Sequence, residues 1–116
     1  MVEGALRNLR HFNLNPEAVI VADAECPPII EVDGIVTDPP YGRTASTLGK
    51  STEQIVKAVL PEFRSLLNSK SRVCMASPKT IGIGRIAERV GFKHLESHYV
   101  YVHRTLTREI AVLEVP

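Results

Sequence analysis

The chain has 116 residues, a formal net charge of +1, 44% hydrophobic residues and 23% charged ones. That length allows one small domain with a modest core, and so small a net charge gives no strong field of its own toward nucleic acid. No apolar run reaches transmembrane length and none forms a signal-peptide core, so a cytoplasmic protein without a membrane partner is expected.

Residues 1–12 predict a helix, because Val2, Ala5, Leu6, Leu9 and Phe12 recur at steps of three and four. The sequence begins inside that pattern, with no capping residue ahead of it. Residues 13–16 turn the chain, and Ala18-Val19-Ile20-Val21-Ala22 predicts a strand buried on both faces that ends at Asp23. A loop with Pro27-Pro28 follows, and a second buried strand over 34–37 delivers Asp38. Residues 43–50 are polar and small and predict a loop over that strand end.

Ser51 or Thr52 can cap the next helix, with Glu53 close to the capping-box position. Ile55, Val56, Val59, Leu60, Phe63, Leu66 and Leu67 give its apolar face, and Pro61 predicts a kink or break near Val59 and Leu60. A third strand is expected over 71–76. Ser77 with Pro78 then suits the start of a helix running to about Val90 and ended by Gly91, although Gly82 and Gly84 weaken its first half. Residues 92–103 and 107–115 read as two strands joined by a turn near 104–106, hence an antiparallel pair. Strands alternating with helices place the chain in the α/β class, with a mostly parallel sheet and an antiparallel pair at its C-terminal end.

Several motifs carry little. Cys26 and Cys74 stand alone beside apolar residues and read as reduced, packed thiols. Gly82-x-Gly84 lacks the third glycine of a dinucleotide loop, and His98 and His103 fall on opposite strand faces, so no metal site is expected. The small basic groups at Arg7, Arg10, His11 and at His103, Arg104, Arg108 read as solvated faces rather than a nucleic-acid patch.

The informative stretch is Asp38-Pro39-Pro40-Tyr41-Gly42. Two prolines fix the backbone as a stiff extended bracket, whose carbonyls, like the Asp38 carboxylate, only accept hydrogen bonds. Acceptors held this way suit a donor such as an exocyclic amine, and Tyr41 offers a face on which a base can stack. Gly42 permits a close backbone approach. The bland alternative is a proline-rich turn with Tyr41 as packing.

The string Val32-Asp33-Gly34-Ile35-Val36-Thr37-Asp38-Pro39-Pro40-Tyr41-Gly42-Arg43 resembles the catalytic segment of Rossmann-like S-adenosylmethionine-dependent methyltransferases that modify exocyclic amines. Within them it is most similar to the archaeal-type tRNA guanine-N2 methyltransferases acting at position 10, over essentially the whole chain. The resemblance implies Asp38, Pro39, Pro40 and Tyr41 as catalytic residues, and Tyr41, Gly42 and Arg43 as substrate-binding ones. It implies Asp23 and Ala24 at the cofactor adenine, with Asp38 also on the cofactor side, and tRNA as the partner. It further implies that the family's first two strands, its glycine-rich cofactor loop and its RNA-binding domain lie outside residues 1–116, which form a single partial catalytic domain with an incomplete Rossmann-like sheet. The strand over 18–22 would then lack its sheet neighbours. A separately encoded N-terminal segment is one expected partner. A non-catalytic module that self-associates through an exposed strand edge, and a fragment of a DNA adenine-N6 methyltransferase, are the alternatives.

Overall fold

The computed structural model describes residues 1–40 and 51–116. Its elements are α1 (Val2–His11), β1 (Val32–Thr37), α2 (Thr52–Leu66), β2 (Leu67–Pro78), a 3-10 turn (Lys79–Ile81), α3 (Ile83–Arg89), β3 (Lys93–His103) and β4 (Leu106–Glu114). The strands form one sheet in the order β1-β2-β4-β3. β1 and β2 are parallel, while β4 runs against both of its neighbours. Three strands therefore share one direction and β4 opposes them, which is the mostly parallel α/β sheet with an antiparallel hairpin expected from the sequence.

Both longer helices after β1 pack on one face of this sheet. Strand alternation turns Val73 and Met75 of β2 and Ala111 and Leu113 of β4 to the same side, and all four are fully buried. Against them lie Val56, Val59, Leu60 and Phe63 of α2 and Ile83, Ile86 and Ala87 of α3, closing the core. α2 starts where expected: the Ser51 hydroxyl accepts from the Gln54 N–H at 3.2 Å, and the Gln54 side chain accepts from the Ser51 N–H at 2.8 Å. The capping box thus uses Gln54, not Glu53, which instead pairs with Lys57 at 3.0 Å.

Four sequence expectations need correction. The break at Pro61 is not there, since α2 runs unbroken from Thr52 to Leu66. Pro61 and Lys57 are exposed, so water can satisfy the Lys57 carbonyl that loses its donor, and burial of Leu60 and Phe63 on the far side holds the helix. The strand over 18–22 does not form. This stretch has no regular structure, and Val21 is 86% exposed, because no described strand lies beside it to satisfy its backbone. The Ser77-Pro78 pair does not open a helix. Ser77 and Pro78 pair with Glu109 and Arg108 of β4, so β2 continues through them, and α3 opens later at Gly82, whose φ of 68° only a glycine adopts cheaply. Finally, Cys26 is exposed rather than packed, and Cys74 is half-buried; both are free thiols.

No residue of α1 is buried, although Val2, Ala5, Leu6 and Leu9 are partly covered. Among the described residues no helix is long and apolar enough to cross a membrane.

Candidate active site at the end of β1

Asp38 follows Thr37, the last residue of β1, which lies opposite Met75 of β2. Open α/β sheets place ligands outside the carboxyl ends of their strands, and Asp38 stands at such an end. Because β4 is antiparallel, its first residues meet the same edge: Arg108 is paired with Pro78, the last residue of β2. Alternation turns Glu109 to the helix-covered face and Arg108 to the other, where its guanidinium lies 3.8 Å from the Asp38 carboxylate. The two side chains are 37% and 52% exposed, so the ion pair adds about 0–1 kcal/mol to stability. Its larger consequence is geometric, since it sets a cation from β4 beside the carboxylate that ends β1.

The other end of the bracket is anchored to α2. Pro39 is buried, and the Pro40 carbonyl accepts a hydrogen bond from the Thr52 hydroxyl at 3.1 Å, with Thr52 itself buried. Asp38 is thus held from β4 and Pro40 from the first turn of α2, while two fixed φ angles stiffen what lies between. The Pro40 carbonyl is already engaged. Tyr41, Gly42 and Arg43, the expected stacking and substrate-binding residues, lie outside the described residues, as does the expected loop over 43–50.

Asp23 and Ala24 are both exposed, in a stretch without helix or strand. One Asp23 carboxylate oxygen accepts from the Glu25 N–H at 2.9 Å and its carbonyl accepts from the Cys26 N–H at 3.0 Å, an Asx turn made within the loop. A carboxylate has about four acceptor positions, so this chemistry still fits an adenine amine. What the described residues do not supply is the strand that was to carry Asp23 to the same sheet edge as Asp38. Arg108 and Thr52 are the contributors that sequence reading missed as site residues. Thr52 was read as a capping candidate and Arg108 as part of a solvated basic group, and only the strand register and the start of α2 put them at the bracket.

The UPF0020 family, described as an RMKL-like methyltransferase domain, matches residues 1–108. The tRNA (guanine(10)-N2)-dimethyltransferase of Methanothermobacter thermautotrophicus is 38% identical over 98% of this chain and 34% of its own length. The enzyme of the same description from Pyrococcus abyssi is 35% identical over 98% of this chain and 35% of its own. The chain therefore spans about a third of the length of these two relatives. Among solved structures, TrmN from Thermus thermophilus superposes with a TM-score of 0.72 at 22% identity, over 97% of this chain and 32% of that one. A methyltransferase from Pyrococcus furiosus gives 0.66 at 20%, over 97% and 56%. These two likenesses bear on the fold.

Proposed function

We propose that this chain, which belongs to the UPF0020 family of RMKL-like methyltransferase domains, is the acceptor-bearing part of an S-adenosylmethionine-dependent enzyme that methylates the exocyclic N2 amine of guanine in tRNA. The observation that carries this reading is the Asp38-Pro39-Pro40 bracket at the carboxyl end of β1, held by Arg108 on one side and Thr52 on the other. The names of the two relatives at 38% and 35% identity support the choice of substrate.

The amine at guanine N2 is a poor nucleophile, because its lone pair is shared with the ring. Asp38 and the Pro39 carbonyl, accepting from its two N–H bonds, orient that nitrogen and stabilise the positive charge that grows on it as it bonds carbon. Preorganised acceptors of this kind are worth about 10²–10³ in rate. Bound S-adenosylmethionine supplies an electrophilic methyl on a sulfonium. The carboxylate of Asp38, paired with Arg108, is the anionic acceptor for the proton that the methylated nitrogen gives up. A guanine in folded RNA has to leave its stack to reach this edge.

The sheet face opposite the helices supports a partner requirement. Val36 of β1 is 86% exposed on that face, and among the described residues β1 pairs only with β2. Further chain, on the same polypeptide or another, that covers this face and edge would also bring the rest of the cofactor site. The test is to incubate the chain with unmodified tRNA and S-adenosylmethionine, with and without the part of the Methanothermobacter relative that it does not match. Nucleoside mass spectrometry should then find N2-methylated guanosine in the complemented mixture. Methylated adenine in duplex DNA, with none in tRNA, would replace this reading by the DNA-modifying one. Concentration-dependent self-association without any methyl transfer would favour the interaction-module reading.

A further inference from the structure

The β3–β4 hairpin carries a set of side chains that methyl transfer at Asp38 does not use. Tyr99 pairs with Glu109 and Tyr101 with Thr107, so both tyrosines lie on the helix-bearing side of the sheet. Yet they are 56% and 71% exposed, two aromatic rings standing in solvent on one strand. Beside them lies a hollow of about 310 Å³ lined by Lys79, Arg85, Glu88, His94, Tyr99 and Glu109. A neighbouring one of about 210 Å³ shares Lys79 and brings in Arg104 from the hairpin turn. Lys79, Arg85 and Arg104 are all exposed.

The platform is built rather than incidental. Glu109 is only 5% exposed, and one of its carboxylate oxygens accepts from the Ser97 hydroxyl at 2.7 Å and from the Tyr99 hydroxyl at 3.5 Å. The Ser97 hydroxyl is also 2.6 Å from the ring nitrogen Nε2 of His94, and that ring packs so tightly on Gly84 that a Cβ there would come within 2.6 Å of it. The chain of contacts from Gly84 through His94, Ser97 and Glu109 therefore ends beside the hydroxyl of Tyr99. The Lys79 ammonium lies 5.2 Å from the centre of the Tyr99 ring. Two exposed aromatic rings with Lys79, Arg85 and Arg104 at exposed positions nearby, and with Glu109 turned inward, match a polyanion that carries flat bases.

We infer that this surface binds a single-stranded stretch of the substrate RNA beside the base being methylated, with bases stacking on Tyr101 and Tyr99 and phosphates meeting Lys79, Arg85 and Arg104. The inference rests on the proposed tRNA activity at Asp38. Three strand spacings, roughly 14 Å at about 4.8 Å each, separate β1 from β3 in the plane of the sheet, and because Asp38 turns to one face and the tyrosines to the other, the RNA crosses the carboxyl edge that β1 and β3 share, a reach of a few nucleotides. The basic group His103, Arg104, Arg108, read from sequence as one solvated face, is thereby divided: Arg108 turns to Asp38, and Arg104 lines a hollow with Lys79.

The experiment is fluorescence anisotropy of the full chain with an unmodified tRNA transcript and with a labelled single-stranded oligoribonucleotide, repeated across a salt series. Tyr101→Ala is expected to weaken binding about 10-fold, and Tyr101→Phe, which keeps the ring, to restore it. Lys79→Gln and Arg104→Gln should each lower the salt slope by about 0.7. Val102→Ala on the opposite face is the control and should bind as the parent does, with circular dichroism confirming that each variant folds. Absence of RNA binding by the parent chain overturns the inference. So does parent-like binding by Tyr101→Ala, including the case where that variant only dissolves an oligomer. Ring-dependent RNA binding without any methyl transfer in the complemented mixture would keep this surface and remove the proposed activity, whereas transfer that ignores Tyr101 would do the reverse.

Discussion

The two faces of the sheet are built from the same strands and have opposite fates. On one, Val73, Met75, Ala111 and Leu113 disappear completely beneath α2 and α3; on the other, Val36 is 86% exposed, and Cys74, Ile110 and Val112 are only partly covered. Each apolar side chain on the open face forgoes the burial that its counterparts on the closed face obtain, about 25 cal/mol for each Å². The closed face explains why the chain folds, and the open face is where the proposed further chain would pack. The acceptor bracket sits at the seam. Pro40 is tied to the closed side through Thr52, and Asp38 is tied to Arg108, which alternation sets on the open side.

Substitutions can break this contrast. The largest effect should come from Leu60→Ala, which removes a fully buried side chain between α2 and the sheet; urea denaturation should show a loss of about 2–5 kcal/mol. Gly84→Ala should cost about 1–3 kcal/mol in the same measurement, because the new methyl meets a His94 ring whose far nitrogen is engaged by Ser97. Arg108→Gln should leave stability within about 1 kcal/mol, as befits a half-exposed pair, while lowering kcat of the complemented enzyme about 10-fold and leaving KM for tRNA nearly unchanged. Arg108→Lys should recover part of that loss. Smallest of all, Val36→Lys should change the stability of the isolated chain by no more than about 0.5 kcal/mol, since nothing is lost from the core. Its effect should fall on complementation, where a charge on the covered interface weakens association with the added segment. A loss from Val36→Lys as large as that from Leu60→Ala would erase the distinction between the faces.

What was legible in the sequence follows the same division. Periodicity found α2, because its apolar face is buried by neighbours within the chain, whereas the hairpin was read from two β-rich runs, of which β4 is buried on one face and β3 leaves Tyr99, Val100, Tyr101 and Val102 exposed. The bracket was legible for a different reason: two prolines dictate their own backbone. Residues 18–22 have the composition of a buried strand, but composition alone cannot provide the strands beside it, and without them Ile20 and Val21 are exposed. The Ser77-Pro78 pair is a sound local capping signal that lost to pairing along β4, a contact more than twenty residues away in sequence. Arg108 and Thr52 could not be placed at the site, because their roles depend on register and on where α2 begins. Tyr99 of β3 was hidden in the same way, since nothing local says that Lys79 and Arg85 flank it.

The most direct test of the account concerns Asp38 in the complemented mixture. Transfer of labelled methyl from S-adenosylmethionine to tRNA should require both components and should fall at least about 100-fold with Asp38→Asn, which keeps the size of the side chain but replaces the charged acceptor. Methyl transfer by Asp38→Asn at the rate of the parent chain would contradict it.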